Sequence, residues 1–171
     1  MFGDRDYDDV SVDEVAEAAG VSHGLIFQYF GSKKGLYIAS LEPLIQFFRA
    51  RIEPDPDLPP EERLREGLRN YADLISEHPV GYRNLLTRAA LFSEVREVLE
   101  RARSWRVERL AESMDLDPED PAVRVGLYAW TSYVETAMLT WLEEDAPERD
   151  EMVEMLVKAL GATVDGIAKA E

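Results

Sequence analysis

The amino-acid sequence predicts an all-α protein. Apolar residues recur three and four positions apart, as they do along one face of a helix, and alternating β-branched runs between hairpin turns are absent. Hydrophobic residues make up 46% of the 171 residues, which is enough to bury a sizeable core. We therefore expect a small N-terminal helical module that a long helix joins to a body of five helices.

The first predicted helix begins with a capping box. Ser11 and Glu14 are spaced so that the side chain of each can accept a hydrogen bond from the backbone N–H of the other. The helix is expected to end near Ala19, because Gly20 can take the left-handed conformation that terminates a helix. Its apolar positions fall on one face, which predicts packing against a neighbouring helix.

The next two helices are marked by the same signals. Ser22 is expected to cap a second short helix that runs to about Tyr29. The pair Gly31 and Ser32 ends that helix and caps the next one, a long helix from Lys33 to about Ile52. This long helix links the module to the body.

The body follows a connector rich in proline, residues 53–60, which cannot be helical. Further breaks at His78-Pro79, residues 115–121 and residues 145–147 divide the rest of the chain into helices. The predicted body helices are Glu61–Glu77, about Val80–Arg88, Ser93 to about Met114, Pro121 to about Glu143 and about Arg149–Lys169.

The two short helices of the module have the layout of a helix-turn-helix. Val21 fills the angle between them, while Ile26 and Phe30 are predicted to point inward. Ser22 leaves the N-terminus of the second helix open to a phosphate group. Such a helix suits the major groove of DNA, where exposed side chains contact base edges. The residues predicted to stay exposed on it are His23, Gly24, Leu25, Gln28 and Tyr29.

The stretch Ser11–Leu36, which reads SVDEVAEAAGVSHGLIFQYFGSKKGL, closely resembles the signature of the tetracycline-repressor (TetR) family. The resemblance implies a one-component transcriptional regulator, usually a repressor. Such regulators are homodimers that bind inverted-repeat operator DNA and release it when a small molecule enters the C-terminal body. On this basis we expect a DNA-binding domain over residues 1–40 and a regulatory, ligand-binding and dimerisation domain over residues 41–171.

The resemblance also implies a role for individual residues of the module. Ser11, Ser22, Tyr29 and Lys33 would contact phosphates, and the residues that would face bases are His23, Gly24, Leu25 and Gln28. Two positions depart from the family pattern. Phe27 stands where tyrosine is usual, and Leu25 replaces a small or polar residue, so that it must meet a thymine methyl group or fit DNA badly.

A third departure precedes the signature. Met1–Tyr7 stands where the family has a full first helix, and it resembles the last turn of that helix and the following loop. We expect a sequence that begins at an internal methionine or is shortened, which would leave Val15 and Ile26 exposed at about 1.5–3 kcal/mol for each large side chain. The alternative function is therefore a dimeric small-molecule-binding or scaffold protein that does not bind DNA as encoded.

The net charge of −16 also bears on DNA binding, because a strongly acidic protein is repelled by phosphate at long range. The charge is unevenly distributed, however. Between Gly20 and Tyr37 there is no acidic residue, and Lys33, Lys34 and His23 lie in this stretch. A locally positive face on an acidic body is therefore expected.

The sequence lacks the residues and motifs that several other function classes require. The sequence has no cysteine, which excludes thiolate metal sites and a cysteine nucleophile, and neither His23 nor His78 has a glutamate three residues earlier, as a di-iron bundle needs. There is no P-loop, dinucleotide-binding or nucleophile-elbow motif. We predict no catalytic residue, metal or cofactor. No apolar run approaches the roughly 20 residues of a membrane span, and the N-terminus does not resemble a signal peptide, so a cytoplasmic protein is expected.

The body is predicted to hold a ligand pocket and a dimer interface. Its aromatic residues, with few polar anchors, suit a drug-sized and largely apolar effector. The predicted pocket residues are Phe48, Tyr71, Arg83, Trp105, Trp130, Tyr133 and Val134. The helix from Pro121 is apolar on two faces, so it and the last helix are expected to form a four-helix interface with a second copy. The predicted interface residues are Tyr128, Leu139, Leu142, Met155, Leu156, Leu160 and Thr163.

Glu135 is an acidic residue on that otherwise apolar helix. An ionised carboxylate buried alone would be costly, so we expect it to be hydrogen-bonded, paired or exposed. A structural role is favoured over contact with a polar or cationic effector.

Overall fold

The computed structural model of the protein describes residues 1–144 and 146–168, and these contain helices but no strand. The predicted all-α fold class is confirmed, and a short 3-10 helix at Tyr7–Asp9 precedes the first α-helix. The α-helices are α1 (Val12–Ala19), α2 (His23–Phe30), α3 (Lys33–Ile52), α4 (Pro60–Glu77), α5 (Pro79–Leu91), α6 (Ser93–Ser113), α7 (Pro121–Glu144) and α8 (Arg149–Ala168).

Most predicted helix bounds agree with the structure to within two residues, and α3 has the predicted bounds. α5 differs most at its end: it was expected from about Val80 to Arg88 and ends three residues later, at Leu91, before the extended Phe92. It begins at Pro79, because a proline is well accommodated at the first helical position, where its missing N–H has no partner to lose. The predicted end of the last helix at Lys169 lies outside the described residues.

The chain forms two compact units. The first consists of residues 1–50 and 77–99, and the second of residues 51–76 and the chain from Glu100 onward. Three helices contribute to both units: α3 passes from the first to the second at residue 51, α6 does so at Glu100, and α4 contributes only its last residue, Glu77, to the first. The functional boundary expected after residue 40 stays a prediction.

The core of the helix-turn-helix is small but closed. Val12, Ala16, Ile26 and Leu36 form a buried cluster, against which Phe2 and two valines pack. The expectation that Val15 and Ile26 would be left exposed is therefore wrong: only 7% of the Ile26 surface is accessible, and Val15 is partly buried against the cluster. Leu36 from α3 belongs to this cluster, and Phe2 from the N-terminal segment packs against it.

A cluster of aromatic rings holds the N-terminal segment against the rest of the first unit. The Tyr37 ring makes edge contacts with Phe2 and Tyr7, at centroid distances of 5.2 and 5.1 Å. The Tyr7 ring also contacts Phe92, which precedes α6, at 5.8 Å. Burial raises the pKa of Tyr37 to about 12, since the phenolate would be poorly solvated there.

In the second unit, α7 and α8 pack against each other. The Trp130 indole N–H donates to the Leu156 carbonyl oxygen at 3.0 Å, which satisfies the polar atom of a ring that is only 8% exposed. Asp120 caps α7 by accepting hydrogen bonds from the backbone N–H groups of Ala122 and Val123. These contacts fix the helix that carries Glu135.

Candidate nucleic-acid interface and cavity

The ends of α1 and α2 have the caps that their residue types predict. The Ser11 Oγ accepts from the Glu14 N–H at 3.1 Å, and the Glu14 carboxylate accepts from the Ser11 N–H at 2.8 Å. The hydrogen bond from the Ser11 N–H, followed by those from the Arg5 and Ser11 side chains, lowers the pKa of Glu14 to about 2. Gly20 ends α1 with φ of +67°, a conformation that most side chains avoid. The Ser22 Oγ then caps α2 by accepting from the Leu25 N–H at 3.2 Å.

The second helix presents an uncharged and unusually apolar outer face. Leu25 is 37% exposed, Phe27 41% and Tyr29 75%, whereas Ile26 is buried. Phe30 was expected to point inward, but 37% of its surface is accessible. It is the last residue of α2, so α2 is anchored mainly by Ile26. Large exposed side chains on a helix this short indicate a binding surface rather than a solvated one.

The polar residues of α2 lie on the same exposed surface. His23 stacks on Phe27, with ring centroids 4.6 Å apart and planes within 13° of parallel, and its Nδ1 contacts the Asp13 carboxylate. Gly24 and Gln28 are exposed as well. The structure thus places every residue predicted to face bases on one short exposed helix.

The basic residues beside α2 make contacts within the first unit. The Lys33 ammonium donates to the Asp8 carbonyl oxygen at 3.1 Å and lies 4.6 Å from the Tyr7 ring centroid. Lys34 pairs with Glu94 at 2.8 Å, which is the main cause that lowers the pKa of this glutamate to about 2. The positive charge expected near α2 is therefore largely shared with neighbouring oxygen atoms.

The second unit contains a cavity of about 940 Å³. Its lining comes from α4, α6, α7 and α8, from the connector before α4, and from Ile52 and Met114 at the ends of α3 and α6. All of these residues belong to this unit. The volume is in the range of sites for drug-sized ligands. The larger apolar side chains of the lining include Leu68, Tyr71, Trp105, Trp130, Val134 and Leu160.

A buried charge cluster forms one part of the cavity wall. Glu135, which is 6% exposed, accepts hydrogen bonds from the Nε and Nη2 atoms of Arg103 at 2.5–3.1 Å. Its Oε1 also accepts from the Arg106 Nη2 at 2.5 Å. The hydrogen bonds to Glu135 raise the pKa of Arg103 above its ordinary value. Glu135 is thus paired, which was one of the three states expected for it.

Four of the seven predicted pocket residues line this cavity, namely Tyr71, Trp105, Trp130 and Val134. The other three do not. Phe48 and Arg83 belong to the first unit, and Tyr133 is 41% exposed on α7. A count of aromatic residues could not distinguish them, because the face of each helix depends on which neighbour covers it.

The predicted interface residues divide in a similar way. Met155 is 42% exposed, and the half-buried members of the set are Tyr128, Leu139, Leu142 and Thr163. Leu156 and Leu160, however, are 0% and 1% exposed. Their side chains fill the core of the second unit and have no surface to offer a partner, so the prediction for these two residues is corrected.

None of the described helices is long and apolar enough to cross a membrane. Likewise, residues 1–144 and 146–168 contain no group of three histidine, cysteine or acidic residues placed to hold a metal ion.

Two family models match the chain. The model described as "Bacterial regulatory proteins, tetR family" matches residues 1–39, and "Tetracyclin repressor-like, C-terminal domain" matches residues 60–163, more than half of the chain. The chain belongs to the TetR family. It is a DNA-binding transcriptional regulator of the helix-turn-helix type, as the signature in Ser11–Leu36 predicted.

Individual TetR-family relatives support this assignment. The chain is 28% identical over 169 residues to the HTH-type transcriptional activator FasR of Mycolicibacterium smegmatis, which covers 92% of this chain and 75% of that protein. A tetR-family transcriptional regulator from Streptomyces coelicolor is 26% identical, with a TM-score of 0.87 over 99% of this chain and 78% of that one. The fatty acid degradation regulator FadR of Bacillus halodurans, 21% identical with a TM-score of 0.67 over 90% of this chain and 85% of that one, shows the same fold.

Sequence reasoning missed the partners of Glu135 in this TetR-family chain. Arg103 and Arg106 are three residues apart on α6 and therefore lie on the same side of that helix. This spacing is visible in the sequence, but several other arginines on α6 have similar spacings. Only the packing of α6 beside α7 shows which of them meet the acidic residue.

Proposed function

We propose that the protein acts as a homodimeric repressor that binds inverted-repeat operator DNA and is released when a small molecule enters the cavity of the second unit. The main support is the exposed, uncharged surface of α2, with Ser22 capping the end that would face a phosphate. The cavity of about 940 Å³ supports the effector. The body and its cavity fit the regulatory domain expected over residues 41–171.

The proposed DNA contacts fall into two groups. Ser11 and Ser22 would hold phosphates, since each hydroxyl can still donate a hydrogen bond while it serves as a helix cap. Tyr29 would join them through its hydroxyl, because 75% of its surface is accessible. Lys33 joins them when its ammonium exchanges the Asp8 carbonyl oxygen for a phosphate oxygen. The residues that would read base edges are His23, Gly24, Leu25 and Gln28.

Release by an effector requires two conformations of the dimer. The two recognition helices must be separated by one turn of DNA, about 34–36 Å, or by a multiple of it. An effector that binds more tightly to a conformation with another separation shifts the population away from DNA, whereas one with equal affinity for both would change nothing. Both α3 and α6 carry residues of the two units, so they are the natural elements to couple them.

The proposed dimer interface is the outer face of α7 together with α8. Between Val125, which is 73% exposed, and Thr140, the exposed positions of α7 carry no charge. On α8, a Cβ atom built on Gly161 or Gly166 would meet no other atom within 4 Å, so a partner helix could approach closely there. Exposed uncharged stripes on two adjacent helices are what a four-helix interface requires. The exposed positions of the α7 stripe are Val125, Ala129, Ser132, Tyr133, Thr136 and Thr140.

A charge placed in the α7 stripe is expected to break the dimer. We predict that Ala129→Arg is a monomer of 19.4 kDa, whereas the unchanged protein has twice that mass. The reason is that two like charges would face each other across the symmetric interface. Sedimentation or light scattering measures the mass. Ala90→Arg, the same change at an exposed position of α5, is the control and should leave the mass unchanged. Equal masses for the two variants would contradict the proposed interface.

The proposed function is tested by selecting binding sites from randomised duplex DNA at low ionic strength. An enriched inverted repeat, bound by two chains, supports it, and a reporter gene behind that repeat then shows repression or activation. The relative FasR is named an activator. Increased output of the reporter gene would therefore show activation and would correct the proposed repression. A dimer that enriches no sequence would instead favour the alternative, a small-molecule-binding or scaffold protein, which the net charge of −16 favours.

The apolar outer face of α2 predicts that thymine methyl groups are read directly. Leu25 and Phe27 carry no hydrogen-bonding group, so their favourable contact in the major groove is with the thymine C5-methyl. Replacing the relevant thymine of the selected operator by uracil, which lacks only this methyl, should weaken binding by about fivefold or more. Leu25→Ala should bind the two duplexes equally. If the unchanged protein binds the thymine and uracil duplexes equally, direct reading of the thymine methyl group by Leu25 and Phe27 is excluded.

A further inference from the structure

Arg106 lines the cavity, and its guanidinium group includes a buried donor that the protein itself does not satisfy. The Nε atom of Arg106 is inaccessible to solvent and has no hydrogen-bond acceptor among the residues that the structure describes. Arginine stays protonated under all ordinary conditions, so this N–H is always present. A buried donor without an acceptor is costly, and each such group calls for an explanation.

The second arginine of the cluster makes Arg106 available to a ligand. Arg103 alone contacts both carboxylate oxygens of Glu135, at 3.0 and 3.1 Å from its Nε and 2.5 Å from its Nη2. Arg103 also pairs with the exposed Glu100, and it would keep Glu135 hydrogen-bonded if Arg106 also contacted another acceptor. The carboxylate oxygens are already occupied by guanidinium groups, so the cluster offers little to a cation.

Two other arginines of the lining differ from Arg106, because neither has a buried nitrogen atom left without an acceptor. Arg65 donates to Glu154 at 2.6 Å, and Arg109 donates to Glu53 at 3.0 Å with 56% of its side chain exposed. Arg106 combines a solvent-inaccessible donor with a largely apolar surrounding that includes Trp105 and Val134. In such surroundings a charge-assisted hydrogen bond is stronger than one in water.

We propose that the effector is an apolar small molecule with a carboxylate group, and that Arg106 binds this group. The inference rests on the proposed function, in which an effector enters this cavity. A carboxylate suits the planar guanidinium better than a neutral acceptor does, because it brings the compensating charge as well as the oxygen atom. The apolar remainder of the molecule would lie against the aromatic and aliphatic lining.

The test compares three probes with the same twelve-carbon chain and different head groups: dodecanoate, 1-dodecanol and dodecyltrimethylammonium, all below their aggregation concentrations. Affinity is measured by calorimetry on the full chain, and release of the selected operator is measured by fluorescence anisotropy. We expect dodecanoate to bind at least about tenfold more tightly than dodecanol, and the cation to bind most weakly. Equal affinities, or a preference for the cation, would overturn the proposal.

Substitutions assign the preference to one residue. Arg106→Gln should abolish the advantage of dodecanoate over dodecanol while dodecanol affinity stays the same, and Arg103 keeps Glu135 paired in this variant. Arg106→Lys retains the charge but lacks the planar donor, so only part of the preference should remain. Arg109→Gln is the matched control, since it removes the same charge from the same helix and the same lining. An equal loss in the Arg109 and Arg106 variants would show general attraction rather than binding by Arg106.

These outcomes separate failure of this inference from failure of the proposed function. If no probe binds, or if bound probe leaves operator affinity unchanged, the cavity is not shown to receive an apolar effector and the regulatory proposal fails. If all three probes bind and release DNA with equal potency, the regulatory proposal stands and the carboxylate-specific role of Arg106 is rejected.

Discussion

Glu135→Ala is expected to destabilise the folded chain by about 3 kcal/mol, because it leaves two largely buried guanidinium groups without their shared carboxylate. The Arg103 and Arg106 side chains are only 22% and 26% exposed, so water can replace Glu135 only in part. The free energy of unfolding is measured by chemical denaturation, followed by far-UV circular dichroism. A loss of this size would identify the cluster as a main determinant of the stability of the second unit.

Glu100→Ala provides the matched control for this prediction. Glu100 also pairs with Arg103, at 2.5 Å, but 48% of its side chain is exposed. An ion pair at the surface contributes little, so this variant should stay within about 1 kcal/mol of the unchanged protein. Similar losses for the two glutamates would mean that the cluster is solvated in solution and that its burial does not matter.

Gly35→Ala is expected to unfold the helix-turn-helix and abolish specific DNA binding. A Cβ atom built on Gly35 would overlap the Phe30 carbonyl oxygen and stand 3.1 Å from the carbonyl carbon. These are backbone atoms at the junction of α2 and α3, so no side-chain rotation can relieve the overlap. We expect the first unit to lose at least about 3 kcal/mol, measured by amide hydrogen exchange of α1 and α2.

The tryptophans make this prediction specific to one unit. Trp105, Trp130 and Trp141 all belong to the second unit, so their fluorescence should stay that of the folded protein in the Gly35→Ala variant. Gly24→Ala is the folding control, because its added Cβ would lie at an ordinary 4.0 Å from the Ser22 Oγ. Normal exchange protection of α1 and α2 in both variants would show that the junction adapts and that the stated overlap is harmless.

The helix-turn-helix could be predicted almost completely from the sequence, because its signals are local. The capping box at Ser11, the left-handed Gly20 and the cap at Ser22 each act within four residues, and the structure contains all three. The exposure expected for Ile26 was wrong because Ile26 belongs to a cluster that includes Leu36 of α3 and against which Phe2 packs, and no local pattern indicates these distant neighbours.

The body was predicted less completely, because its cavity and ion pairs depend on contacts between residues that are distant in the sequence. Its helices follow from proline and aspartate breaks, but the cavity depends on which faces meet in three dimensions. Trp105 and Trp130 line it, while Tyr133, equally aromatic and on the same helix as Trp130, is exposed. The carboxylate of Glu135 was expected to need a partner, yet the choice of Arg103 and Arg106 among the arginines of α6 depends on how α6 and α7 pack.

The double pairing of Glu135 has a consequence for how such a regulator diversifies. Arg103 by itself contacts both carboxylate oxygens, so a substitution of Arg106 leaves Glu135 paired and, with the effector bound as we propose, would alter what the protein senses. Descendants of a single ancestral gene could in this way acquire responses to different metabolites by substitution of residue 106, while an unchanged Arg103 keeps Glu135 paired.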